Sequence, residues 1–198
     1  MSILKLLFSC LIMTTFFLSA SRLVAQTFEK SQFEKPAKEA LLKYPELQNV
    51  KLKFVSVEKS KLAHQALPYT FSIFRSRKNR KYKIIIASDQ CGELDSTLFK
   101  NLDYKSQVGV LAHELAHILD YVNSSGIRII TKGISYKLSK KFRKSYERKT
   151  NIEAMRRGFT QEILSWSNEV YTYLDRDGRG DYYHSPLEIR QIISQSGL

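Results

Sequence analysis

The sequence predicts an α+β domain, a small mixed sheet with helices packed on one of its faces, and three observations lead there. Short runs of β-branched and aromatic residues fill 52–86, apolar residues at helical spacing dominate 94–174, and only eight glycines and four prolines punctuate 198 residues. Strands first and helices after is the element order of an α+β chain. With 43% hydrophobic residues the chain has material for one real core, which excludes the disordered and collagen-like classes.

The N-terminus carries Lys5, then an uncharged apolar run from Leu6 to Ala20, then a short stretch closing on Leu23-Val24-Ala25-Gln26. That is the layout of a secretory signal peptide, because a run of about 15 residues falls short of the roughly 20 that span a bilayer, and Ala25 is a small residue at the expected cleavage point. The expectation is a leader over residues 1–25, one domain over residues 26–198, and a secreted or periplasmic protein without a stable membrane span once the leader is gone. Cleavage would remove Cys10 and leave Cys91 as the lone thiol, with no CxxC partner and a turn-like setting between Gln90 and Gly92.

Phe33, Ala37, Leu41 and Tyr44 recur at helical spacing, and Pro36 is tolerated in a first turn, so a short helix is expected to end near Pro45. Leu52 to Val57, Tyr69 to Phe74 and Tyr82 to Ile86 read as three strands, the last two joined as a hairpin by the basic segment from Arg75 to Lys81. From Leu94 the pattern is helical, through Leu98, Leu102, Val108, Leu111, Leu115, Ile118 and Val122, and it stays so to about Leu174. Residues 175–181 form a turn, and Ser185-Pro186-Leu187-Glu188 looks like the capped start of a last helix.

The segment His113-Glu114-Leu115-Ala116-His117 matches HExxH. Residues four apart lie one above the other on a helix, so both imidazoles reach one ion, while Glu114 leaves the same turn at another angle and serves as general base. Zinc lowers the pKa of its water to roughly 7, and a carboxylate within reach then takes the proton as the water attacks a polarised carbonyl. The surrounding Val110, Leu111, Ala112, Leu115, Ala116, Ile118 and Leu119 are uncharged, a wall in which two unpaired histidines would be costly without a metal.

A catalytic zinc commonly has three protein ligands, so one more is needed from another segment. The metzincin pattern fails, since Asp120 and Asn123 stand where its Gly and His would be. The chain resembles the gluzincin type of zincin metallopeptidases, in which a Glu on a later helix is the third ligand and an Asp four residues on orients the first histidine; Glu147 and Asn151 have that spacing, with Asn in place of Asp. The resemblance covers residues 113–158 and implies Zn2+ as cofactor, His113, His117 and Glu147 as metal ligands, Glu114 as the catalytic residue, a zincin-like fold, and an edge strand that binds extended peptide, here sought at Tyr82 to Ser88. Glu153 is the rival third ligand, and an uncharged Asn151 implies a slightly less basic ligand histidine. Tyr182, Tyr183 and His184 are available as oxyanion donors, Asp120 as a second partner or a solvent-facing residue, and His64 reads as incidental on a loop.

Two further signals carry less. Residues 175–181 brush against a calcium loop, but Arg179 occupies a ligand position and Pro186 stands where the closing Glu belongs. Lys132, Lys137, Lys140, Lys141, Arg143, Lys144, Arg148 and Lys149 carry much of a net charge of +13 and suggest an anionic surface or polysaccharide, with a solvated helix face as the plain alternative and nucleic acid not expected for an exported protein. The expectation is a zinc-dependent hydrolase, a peptidase acting on peptide or protein. Its alternatives are a noncatalytic zinc-binding module that kept the clamp and a deformylase-like amidohydrolase with Cys91 as third ligand.

Overall fold

The computed structural model describes residues 26–29, 31–90 and 95–197; the expected leader and Cys91 lie outside them. The elements are β1 (Gln26–Phe28), α1 (Ser31–Leu41), β2 (Lys51–Lys59), β3 (His64–Pro68), β4 (Lys81–Gln90), α2 (Tyr104–Asn123), α3 (Gly126–Leu138), α4 (Lys140–Ala154), α5 (Thr160–Arg176) and α6 (Pro186–Ser196). The chain is therefore an α+β fold. Its mixed sheet has the order β1-β2-β4-β3, with β1 parallel to β2, β2 parallel to β4, and β3 antiparallel to β4.

Alternation decides which side of the sheet is covered. Leu52, Phe54, Tyr82, Ile84 and Ile86 are buried, with Leu52 opposite Tyr82 and Phe54 opposite Ile84, while Lys51, Lys53, Lys81 and Lys83 take the other, open face. The expected helix before Pro45 forms as α1, and α6 begins on a full capping box between Ser185 and Glu188.

One expected strand does not form. Thr70–Phe74 is a 3-10 turn, and the antiparallel partner of β4 is the less apolar His64–Pro68. Pro68 ends the ladder, the Tyr69 N–H is the last to reach across, to the Lys81 carbonyl, and the Ser72 hydroxyl accepts from the Lys81 N–H. Phe71 and Phe74, three apart, suit a 3-10 turn better than period-two alternation and stay exposed. A second correction follows from strand order: β4 is interior, so the edge nearest the metal-motif helix is β3, not Tyr82 to Ser88.

Helix α2 is the axis of the domain, buried almost continuously from Val108 to Leu119. Asp103 caps it by accepting from the Ser106 N–H. The buried Tyr44 hydroxyl donates to the Ala112 carbonyl at 2.7 Å, fixing the helix one residue before His113. Gly109 lets α5 approach: a Cβ there would sit 2.2 Å from the Glu162 carbonyl oxygen. Between α4 and α5 the chain turns through a π segment, Met155–Phe159, where Gly158 adopts φ 82° and its carbonyl accepts from Lys43.

Candidate metal centre

Helices α2 and α4 cross so that three donor atoms meet. His113 Nε2 lies 3.0 Å from Glu147 Oε2, His117 Nε2 lies 3.3 Å from the same oxygen, and the two Nε2 atoms are 3.1 Å apart. All three residues are buried. In a tetrahedral site with bonds of about 2.0–2.1 Å, neighbouring donors stand about 3.3 Å apart, so this triangle has the edge lengths a small divalent ion requires.

The outer nitrogens settle which ring atoms are free to ligate. His113 Nδ1 is 2.7 Å from Asn151 Oδ1, an acceptor, so Nδ1 carries the proton and Nε2 presents its lone pair. The Thr150 hydroxyl donates to the Tyr146 carbonyl and lies 3.3 Å from His117 Nδ1, leaving its oxygen to accept from that ring. Both imidazoles thus aim unprotonated nitrogens at a carboxylate oxygen. Three electron-rich atoms facing one another underground are unfavourable unless a cation or a proton sits among them.

Electrostatics points the same way. Burial works to raise the pKa of Glu147, but the two imidazoles outweigh it and hold the carboxyl well below the usual range. Burial works against charge on His117, yet Glu147 and Glu114 outweigh it and raise its pKa. The second oxygen of Glu147 accepts from the Tyr136 hydroxyl at 2.5 Å, so both of its oxygens are engaged.

Glu114 stands beside the triangle without joining it. Its Oε1 is 3.8 Å from His64 Nδ1, and its Oε2 is buried with no hydrogen-bond partner among the described residues, as is His64 Nε2. Burial would raise the Glu114 pKa, and His64 followed by the two metal-motif histidines lowers it instead, so the carboxylate is ionised and able to accept a proton. His64 is the residue sequence reasoning misread: it sits on β3, its ring 5.9 Å from Trp166 in an edge contact, rather than free on a loop. Its only signal in the sequence was being one of four histidines.

The other expected residues sort cleanly. Glu153 pairs with Arg157 at 2.8 Å, away from the triangle, so Glu147 is the third donor. Asp120 accepts from Lys132 and from the Tyr146 hydroxyl, and the Tyr146 ring lies 5.0 Å from that of His117, so Asp120 braces the wall of the site. Tyr183 packs on His113 and Trp166, whereas the Tyr182 hydroxyl meets Arg143 and the His184 carbonyl accepts from Ser167. Thr150, Tyr136 and Trp166, all unremarked in the sequence, complete the surroundings.

Comparison with protein-family models, curated proteins and solved structures found no match to this chain.

Proposed function

We propose that the protein is a zinc-dependent hydrolase of zincin type, gluzincin-like in its ligand set, that cleaves peptide bonds. The observation that carries this reading is the 3.0–3.3 Å triangle of His113, His117 and Glu147 with an unpartnered, ionised Glu114 oxygen beside it. Zinc held by those three side chains would polarise the scissile carbonyl and acidify water at the site.

Asn151 and Thr150 hold the two imidazoles in the tautomer that ligates, and Tyr136 fixes the far oxygen of Glu147. Glu114 takes the proton of the attacking water on its free oxygen and returns it to the leaving amine. His64 flanks Glu114 at 3.8 Å and keeps it ionised. Strand β3, an edge strand beside α2, would take an extended peptide as one more strand through the backbone groups its outer side leaves free. Those groups exclude the Ala66 carbonyl, which the Tyr121 hydroxyl already reaches at 3.4 Å, and Pro68, which has no N–H.

The test is digestion of a mixed peptide library by wild type, by Glu114→Gln and by wild type treated with chelator, read by mass spectrometry. Cleavage by wild type alone supports the reading. Equal cleavage by Glu114→Gln sinks it.

A noncatalytic metal module is the second reading, favoured by one observation: the ligands are only 1–7% exposed and Tyr136 closes over Glu147. It predicts full metal occupancy with no cleavage by either protein.

A further inference from the structure

Helix α3 carries apolar residues on the side it turns away from the domain. Ile127 is 77% exposed, Ile130 38%, Ile134 53% and Leu138 82%. At 100° per residue these four fall within an arc of about 80°, a single stripe along three turns. The opposite side does the packing: Ile129 is buried, the Tyr136 hydroxyl reaches Glu147 and Lys132 reaches Asp120. A stripe of aliphatic side chains directed away from its own domain marks a surface for something else.

The charges around the stripe have one sign. Arg128 and Lys137 flank it on α3, Lys140 and Lys141 follow at its C-terminal end, and all four are exposed. At the other end, Ile73 packs against Gly126, which brings the exposed Phe74 and the basic Arg75, Arg77 and Lys78 beside the helix start. Between Asp120 and Glu147, and between Glu58 and Asp89, the sequence contains no acidic residue. Unmixed positive charge around exposed aliphatic side chains is the composition of a helix that lies in a lipid headgroup layer.

We infer that α3, with the adjoining turn at Phe74, is the face by which the protein docks on an anionic lipid bilayer, its stripe entering the headgroup region and its lysines and arginines meeting the phosphates. An acidic polysaccharide would satisfy the cations but leave the stripe in water. A second copy of the chain would bring two basic faces together, which like-charge repulsion opposes. The inference stands apart from the metal centre and holds whether or not that site is catalytic. No described helix is long and apolar enough to cross a membrane.

The experiment is co-sedimentation of the purified protein with vesicles of phosphatidylcholine alone and of equal parts phosphatidylcholine and phosphatidylglycerol. The Ile127→Asp/Ile134→Asp double variant is run beside wild type, with circular dichroism to check its fold. The expected result is binding to the mixed vesicles at least tenfold stronger than to the neutral ones, lowered at least tenfold in the folded double variant and weakened by half-molar salt. Three outcomes overturn it: no binding to the mixed vesicles, binding that the double variant retains in full, or a wild-type dimer in solution that the double variant converts to monomer.

Discussion

Asn151 accepts the Nδ1 proton of His113 at 2.7 Å, while Asn151 itself is only 1% exposed. The first of the proposed ligands, His113, is therefore oriented by a neutral partner rather than a carboxylate, and its Nε2 is a weaker donor than a charged neighbour would make it. Substituting Asn151→Ala is expected to lower zinc affinity about 10- to 100-fold in a competition titration with a chromogenic chelator. Asn151→Asp, which restores charge at the same distance, should raise affinity above wild type.

Thr150 does for His117 what Asn151 does for His113, at the longer distance of 3.3 Å. Thr150→Val keeps the shape and deletes the acceptor. The same titration should show a loss of about tenfold, smaller than that of Asn151→Ala, with the fold intact by circular dichroism.

Gly109 is where helix α2 touches the backbone of α5, and a methyl group there would stand 2.2 Å from the Glu162 carbonyl oxygen. A backbone atom cannot swing aside as a side-chain tip does. Gly109→Ala should destabilise the protein by about 2–3 kcal/mol, a melting temperature lower by several degrees in calorimetry. Because the shift moves α2 as a body, zinc affinity should fall with it.

His184 is held neutral by burial first and by the nearby Arg148 guanidinium second, which push its pKa down to about 4 from 6.5. Between those values the unfolded chain binds a proton that the folded chain does not. This contribution to stability is present in full above pH 6.5 and is lost as pH falls from 6.5 to 4. His184→Gln should therefore show a smaller drop in melting temperature between pH 7 and pH 4.5 than wild type. An identical drop in both proteins would remove His184 as a source of acid sensitivity.

The helix that brings His113 and His117 to the candidate centre was legible in the sequence because its pattern is local. HExxH puts two imidazoles and a carboxylate on one turn, the set that the proposed reading uses as two ligands and a base. Glu147 and Asn151 came from the gluzincin resemblance, whose four-residue spacing a single helix keeps, with Glu153 left as the rival. His64, by contrast, arrives from a strand fifty residues upstream, and the strand itself is set by pairing with β4 rather than by its own composition. His64-Gln65-Ala66-Leu67-Pro68 has little β propensity, whereas the aromatic Tyr69 to Phe74 has more and makes a turn instead. The same tertiary override hid which strand forms the sheet edge. Thr150 and Tyr136 escaped because a hydroxyl that orients a ligand has no pattern apart from the geometry it serves.

The central claim is that His113, His117 and Glu147 hold one zinc ion, and elemental analysis of the purified protein beside His113→Ala and Glu147→Ala tests it most directly. About one zinc per wild-type chain, with both variants close to none while still folded, is the expected result. Wild type without bound metal after purification and incubation with zinc, or a Glu147→Ala protein that keeps a full equivalent, would contradict it.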